Sequence, residues 1–439
     1  MSDSTRRSFV RGIGAAATLT VATPLLGAGS STELTRIARL LRVDPTFGGR
    51  GLSLDVGAVW PLTGPGAIGA QQIDVAKLAF RHVAALGGPA FRLRLEDNRS
   101  GDPRSGADAV RALGSAKVPM MLSSFAGDFG SELAGIAEYR ILSLDGSGGT
   151  SDFAQHKPYF WGSIAITPDD AFPGAVSYVR RTMPHVKKVA FLSWDIGRRS
   201  DAIFENLRAW LKPSGWVEVA NERTAIGETD YSWAIEKFTK AKPDIIFLGI
   251  YAQDVGYFLR QYTTGSLKAP VFAFTHTDAA ANTAGSAYEG LYVAFDYFDA
   301  GRPQNPWAAF FVNELTKRAP HVRPDYYAAN AYEDVFVLWE CVRRVLATRG
   351  NPKDGAQLNA AFERNLTFPS LYGGGPDTAG TIVFDAATHS VKRRPMVVGK
   401  YESGRIAPLA FFDAGGGNFR LASNAPAARH GRHGARPSK

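Results

Sequence analysis

The chain holds one cysteine, Cys341, among 439 residues, which rules out a disulfide within it. That cysteine lies in Val335-Phe336-Val337-Leu338-Trp339-Glu340-Cys341-Val342, beside apolar residues at helical spacing, and reads as a buried structural thiol rather than a nucleophile. Catalytic signatures are missing as well. No G-x-S-x-G elbow, H-E-x-x-H helix, P-loop or paired C-x-x-C occurs, and the eight histidines form no metal-ligand cluster beyond His430 and His433 near the C-terminus. No catalytic residue, metal or cofactor is therefore expected.

Long apolar runs are also scarce. The stretch Gly12 to Gly29 is mostly Ala, Gly, Thr and Leu and is interrupted by Pro24, too short and too weakly apolar to span a bilayer core of about 30 Å. It follows Ser4-Thr5-Arg6-Arg7-Ser8-Phe9-Val10-Arg11, which looks like a twin-arginine export signal. Residues 1–29 are accordingly expected to be a cleaved signal peptide engaging the twin-arginine machinery and directing the chain to the periplasm. No cysteine follows the apolar run to carry a lipid. Because that route often carries folded proteins with cofactors inserted, an exported cofactor-dependent enzyme is the alternative from another class.

The formal charge of +9 is unevenly spread. Residues 1–29 carry +2, the tail from Asn424 carries +4, and the body between them only +3. No basic stripe interleaved with aromatics appears, so no nucleic-acid partner is expected. The tail, residues 424–439, is rich in Ala, Gly, Arg and His and lacks large apolar residues, a composition expected to stay disordered.

About 410 residues remain after the signal, which suits two domains rather than one core. From Leu52 onward strand-like and helix-like segments alternate, predicting an α/β fold with parallel sheets covered by helices. Val118 to Leu122, Ile141 to Leu144, Val189 to Leu192 and Ile245 to Leu248 are short apolar runs of the kind buried on both faces. Ile73, Ala76, Ala79, Phe80, Val83 and Leu86 repeat at helical spacing, and Gly87-Gly88 supplies the stop. A second cycle of alternation begins near Pro168. Residues 30–51 read as a linker, in which Leu34 to Val43 suits a short basic amphipathic helix.

The loop Pro61-Leu62-Thr63-Gly64-Pro65-Gly66-Ala67-Ile68-Gly69 carries two readings. Gly64, Gly66 and Gly69 spell G-x-G-x-x-G, which between a strand and a helix can cradle a pyrophosphate. Pro61 and Pro65 oppose that by holding an extended bend, and Glu96 and Asp97 lie about 30 residues past Gly64, against about 20 for a ribose-binding acid. The same loop resembles the P-L-[ST]-G-x-x-A-x-x-G opening of type I periplasmic binding proteins, in their branched-chain amino-acid-binding branch. The resemblance continues through Leu86-Gly87-Gly88, Leu95-Glu96-Asp97-Asn98, Asp102-Pro103, Tyr326-Tyr327 and Ala331-Tyr332-Glu333-Asp334-Val335, and covers roughly residues 52 to 420.

What the resemblance implies is a fold of two Rossmann-like lobes with parallel sheets, joined by three hinge crossings. Lobe 1 would comprise 52–167 plus 299–378, and lobe 2 would comprise 168–298 plus 379–423. The implied function is capture of a small molecule (an amino acid, an amide or an aromatic or carboxylate compound) in the cleft between lobes, for delivery to the permease of an ABC transporter. A ligand-sensing module for a membrane receptor is the other non-enzymatic alternative.

Ligands of open parallel sheets bind beyond the carboxyl ends of the strands, so the loops there hold the candidate residues. On lobe 1 these are Ser124, Phe125, Ala126 and Gly127 after the Met120 strand, Gly149 and Thr150 after the Leu142 strand, and Tyr327. By the resemblance, Ala126 stands where the family has a carboxylate-binding serine, while Gly149-Thr150 fits the family's small residue and threonine. On lobe 2, Arg199 stands at a family tyrosine, Tyr251 matches a ligand-lining tyrosine, and His276 falls where amino-acid binders place an acid for the ammonium. These departures argue against a plain aliphatic amino acid. Trp60, Phe125, Tyr251 and Tyr327 suit an apolar or aromatic ligand.

Overall fold

The structure, a computed structural model, describes residues 18–19, 28–64, 69–125, 130–147, 154–165, 168–251 and 253–423. The chain divides into two compact units, Met1–Ile164 with Phe298–Lys392 and Ala165–Tyr297 with Arg393–Lys439. It therefore passes between units after Ile164, Tyr297 and Lys392.

Unit 1 is built on strands β1 (Thr18–Leu19), β2 (Ser53–Trp60), β3 (Ala90–Asp97), β4 (Met120–Ser123), β5 (Leu142–Asp145) and β6 (Phe160–Gly162), in the order β1-β3-β2-β4-β5-β6. All neighbours run parallel except β1, which pairs antiparallel with β3. Every residue of β4 and β5 is buried, as the uninterrupted apolar run requires of a strand covered on both faces. Helices α1 (Ala28–Leu40), α2 (Gly69–Ala85), α3 (Pro103–Ser115) and α4 (Leu133–Tyr139) belong to this unit. Asp102 caps α3 by accepting from the Ser105 N–H at 2.7 Å, and Pro103 follows at the first turn, where its missing N–H costs nothing.

Helix α2 ends as its sequence dictates. Gly87 takes φ 93, the left-handed conformation that favours glycine. Gly88 is required for space, because a Cβ there would lie 2.4 Å from Val83 Cγ1 and 2.8 Å from Trp339 Nε1. That indole donates to the Gly48 carbonyl at 2.8 Å and so ties the segment before β2 to the unit's centre.

Residues 30–51 are not the linker expected from sequence. Leu34, Ile37 and Leu41 share one face of α1 and its C-terminal turn, and burying them there fixes the segment to unit 1. The Arg36 Nη2 donates to the Pro376 carbonyl at 2.8 Å, and the Arg343 Nη2 donates to that of Arg42 at 2.7 Å.

Unit 2 is built on β7 (Lys188–Trp194), β8 (Val217–Thr224), β9 (Ile245–Gly249), β10 (Val271–Ala273) and β11 (Tyr292–Asp296), all parallel. Its helices are α5 (Pro168–Thr182), α6 (Arg198–Ser214), α7 (Ser232–Ala241), α8 (Gln253–Tyr262) and α9 (Asp278–Ala284). Phe172, Phe191, Phe247 and Phe274 fill its interior, with Phe191 and Phe247 stacked at 5.7 Å between centroids.

The chain then returns to unit 1 through α10 (Pro306–Arg318), α11 (Tyr326–Ala347) and α12 (Gly355–Arg364). Helix α11 is buried along most of its length, and burial pushes the Cys341 thiol up to about 12, so it is inert as a nucleophile at neutral pH. Strands β12 (Thr367–Gly375), β13 (Thr378–Phe384) and β14 (Val391–Lys392) form an antiparallel sheet. Here the expected boundary is corrected. Residues 379–392 belong to unit 1, not lobe 2, because β13 pairs with β12 and His389 stacks on Trp161 at 4.1 Å.

The last strands, β15 (Pro395–Glu402), β16 (Arg405–Asp413) and β17 (Gly417–Leu421), extend the unit 2 sheet antiparallel beyond β11. A buried ion pair fixes this junction: Arg394 Nε meets Asp296 Oδ2 at 3.0 Å, with both side chains at most 2% exposed. The expected signal peptide, 1–29, is described only at Thr18–Leu19 and the start of α1, and the expected tail, 424–439, lies outside the described residues.

Two substitutions test this packing. Gly88→Ala should destabilise the protein by about 1–3 kcal/mol, because Val83 and Trp339 must move, and a Gly88→Ala variant with an unchanged urea midpoint would refute the close approach. Arg394→Met leaves Asp296 buried without its cation and should cost about 3–5 kcal/mol, with Asp296→Asn in the same background recovering part of the loss.

Candidate functional site

In unit 1 the carboxyl ends of β2, β4 and β5 carry an unusual density of buried polar groups. Ser123, Ser124, Asp145 and Ser147 are all 2% exposed or less. Ser123 Oγ lies 3.2 Å from Ser143 Oγ, the Ser147 N–H donates to Asp145 Oδ1 at 3.2 Å, and Gln72 Nε2 donates to Ser147 Oγ. Asn98, following β3, donates through Nδ2 to the Ser124 carbonyl at 2.9 Å and to Glu132 Oε1 at 3.2 Å. It thereby clamps both ends of the loop that carries Phe125, Ala126 and Gly127. Phe125 itself takes φ 63, a left-handed conformation costly for a bulky residue.

Glu132 is wholly buried, and burial pushes its carboxyl well above the ordinary range, with the Asn98 hydrogen bond opposing and the charge of Asp145 adding to the rise. Neutral Glu132 is therefore the form that suits this site. Its Oε2, the Ser124 Oγ and the Asn98 Oδ1 are buried without a hydrogen-bond partner among the described residues.

The acid nearest the G-x-G-x-x-G loop is already committed. Asp97 Oδ1 accepts from the N–H of Leu62 at 2.9 Å and of Arg99 at 2.8 Å, and its Oδ2 accepts from Thr63 Oγ1 at 2.6 Å. It shapes the loop, which leaves it unsuited to a ribose.

In unit 2, Trp194 ends β7 and Tyr251 follows β9, the neighbouring strand. Their rings meet at 5.2 Å between centroids, tilted by 58°. The Trp194 Nε1 donates to Asp254 Oδ2 at 2.7 Å, and the Gly227 N–H donates to the same oxygen at 2.9 Å. Burial pushes the Asp254 carboxyl up, while those two donors and Tyr231 pull it back. His276, after β10, has Nδ1 3.1 Å from the Tyr288 hydroxyl and its ring tilted against Tyr401 at 5.6 Å.

The candidate residues thus divide between units. Ser124, Phe125 and Tyr327 are in unit 1, where Tyr327 lies in the first turn of α11, packed on Tyr326 at 4.3 Å. Arg199, Tyr251 and His276 are in unit 2; Arg199 occupies the first turn of α6, and its side chain lies outside what is described, as do Ala126, Gly127, Gly149 and Thr150 entirely. Sequence reading passed over Trp194 and Asp254. Their link crosses sixty positions and shows only once β7 and β9 are neighbours. Among the described residues no group of three or more His, Cys, Asp or Glu could hold a metal, and no helix is long and apolar enough to cross a membrane.

A sequence profile of the periplasmic binding protein family matches residues 53–405. The chain belongs to that family. This binding protein is 25% identical over 331 residues to the Leu/Ile/Val-binding protein homolog 1 of Brucella suis, covering 72% of this chain and 84% of the relative. A solute-binding protein of an R. palustris ABC transporter, solved in complex with benzoate, superposes with a TM-score of 0.69 at 16% identity, covering 85% of this chain and 99% of the other. The branched-chain amino acid binding protein LivJ of Streptococcus pneumoniae, solved with isoleucine, gives 0.66 at 17%, covering 81% and 97%. These structures establish the type I periplasmic-binding-protein fold for the binding protein: α/β, with a parallel sheet in unit 1 and a mixed sheet in unit 2.

The buried carboxyl of Glu132 has a measurable consequence. The folded protein holds its proton at pH values where the unfolded chain, with an ordinary value of 4.5, has lost it. Its contribution to stability is complete below that value and declines as pH rises. Glu132→Gln removes the titration, so the melting temperature of the variant should gain on the wild type as pH rises above the ordinary value of 4.5; a difference independent of pH would contradict the raised carboxyl.

Proposed function

We propose that this binding protein captures a small solute in the periplasm and delivers it unchanged to the permease of an ABC importer. The solute class is an amino acid, an amide or an aromatic or other carboxylate compound. The observation that carries this reading is the family match across residues 53–405, supported by solved relatives of the same fold that hold isoleucine or benzoate. Ser124, Phe125 and Tyr327, with Ala126, Gly127, Gly149 and Thr150, are proposed as contacts from unit 1, and Arg199, Tyr251 and His276 as contacts from unit 2.

Export by the twin-arginine route through residues 1–29 is part of the proposal, resting on Arg6, Arg7 and Phe9. The solute shifts the protein toward the form the permease recognises only by binding that form better. A dissociation constant of about 1 μM, or about −8 kcal/mol, gives capture without preventing release.

Titration calorimetry against aliphatic amino acids, amides and aromatic carboxylates tests the reading. One class should saturate the protein with one solute per chain at about micromolar affinity. Absence of saturation by every class up to millimolar concentration would overturn it. Replacing Arg6 and Arg7 with lysine should retain the protein in the cytoplasm, and unimpaired periplasmic recovery would remove the twin-arginine route.

A further inference from the structure

We infer that Trp194, held by the buried carboxylate of Asp254, selects planar aromatic solutes over saturated ones of the same size. This rests on the solute-binding reading and names the chemistry of one part of that site. Trp194 and Tyr251 stand at the carboxyl ends of adjacent parallel strands, where open sheets take their ligands. Phe191, Phe247 and Phe258 of the same unit are buried, whereas Trp194 and Tyr251 are each partly exposed. Gly249, the last residue of β9, pairs with Ser193 next to Trp194 and adds no side chain; a Cβ there would come within 3.1 Å of Ser193 Cβ. The result is a partly open aromatic face at the edge of a closed core.

The orientation of that face is fixed by a costly device. Asp254 is 2% exposed and sits in the first turn of α8, yet it accepts the Trp194 indole N–H at 2.7 Å and the Gly227 N–H at 2.9 Å. A buried carboxylate is unfavourable unless its donors are well placed, so it serves poorly as mere filler. Its effect is to pin the indole and the loop after β8 to one point. A tilted ring pair held this way presents a face and an edge to a third ring, the arrangement aromatic groups prefer. Asp254 is thus a positioning residue, and Trp194 the group proposed to touch the solute.

The test compares benzoate, 4-hydroxybenzoate, cyclohexanecarboxylate and leucine by calorimetry on the full exported protein. The wild type should bind one of the two aromatic acids about tenfold more tightly than cyclohexanecarboxylate. Trp194→Leu should erase that preference while Trp194→Phe retains most of it, with the melting temperature of each recorded to separate a lost contact from a lost fold. Asp254→Leu should weaken aromatic binding about tenfold, and Asp254→Asn, which keeps an acceptor for the indole, should restore it. Binding of cyclohexanecarboxylate as tight as that of both aromatic acids, or a preference that survives Trp194→Leu, would overturn the assignment. Saturation by leucine alone would overturn it while leaving solute capture standing, and saturation by none of the four would count against both.

Discussion

Parallel pairing sends the carboxyl ends of neighbouring strands to the same edge of a sheet, the edge at which open parallel sheets take their ligands. In unit 1 that edge gathers Ser123, Ser124, Asp145 and Ser147; in unit 2 it gathers Trp194, Tyr251 and His276. The two edges differ in chemistry. The first is polar and buried, organised by Asn98 and Glu132. The second is aromatic, organised by Asp254.

Buried charge recurs as the means of fixing position. Asp254 holds Trp194, and the Asp296–Arg394 pair holds the junction of β11 and β15. Such groups stabilise little in themselves, because their desolvation offsets much of their attraction. They instead penalise every alternative arrangement. Removing one partner leaves the other stranded, which makes each pair a fixed point for the loop it anchors.

Much of the fold was legible in the sequence because it depends on local pattern. The apolar runs at Met120, Leu142, Val189 and Ile245 announced strands buried on both faces, and Gly87-Gly88 announced the end of α2. The third crossing was not legible. Residues 379–392 alternate like any strand, and only the pairing of β13 with β12 assigns them to unit 1. In the segment before β2 the helix was legible from Leu34 to Val43, but its docking was not, because the surfaces that bury Leu34, Ile37 and Leu41 come from parts of unit 1 distant in sequence. Among the candidate residues, Tyr251 was picked from its place after a strand and its match to a family tyrosine, whereas Trp194 and Asp254 are linked only across the sheet.

The central claim is that a small molecule is held and given back chemically unchanged. Mass spectrometry of solute recovered after incubation with the purified protein, followed by denaturation, tests it most directly. The account expects one molecule per chain with its mass intact. A converted product, or a solute covalently attached to the chain, would contradict it.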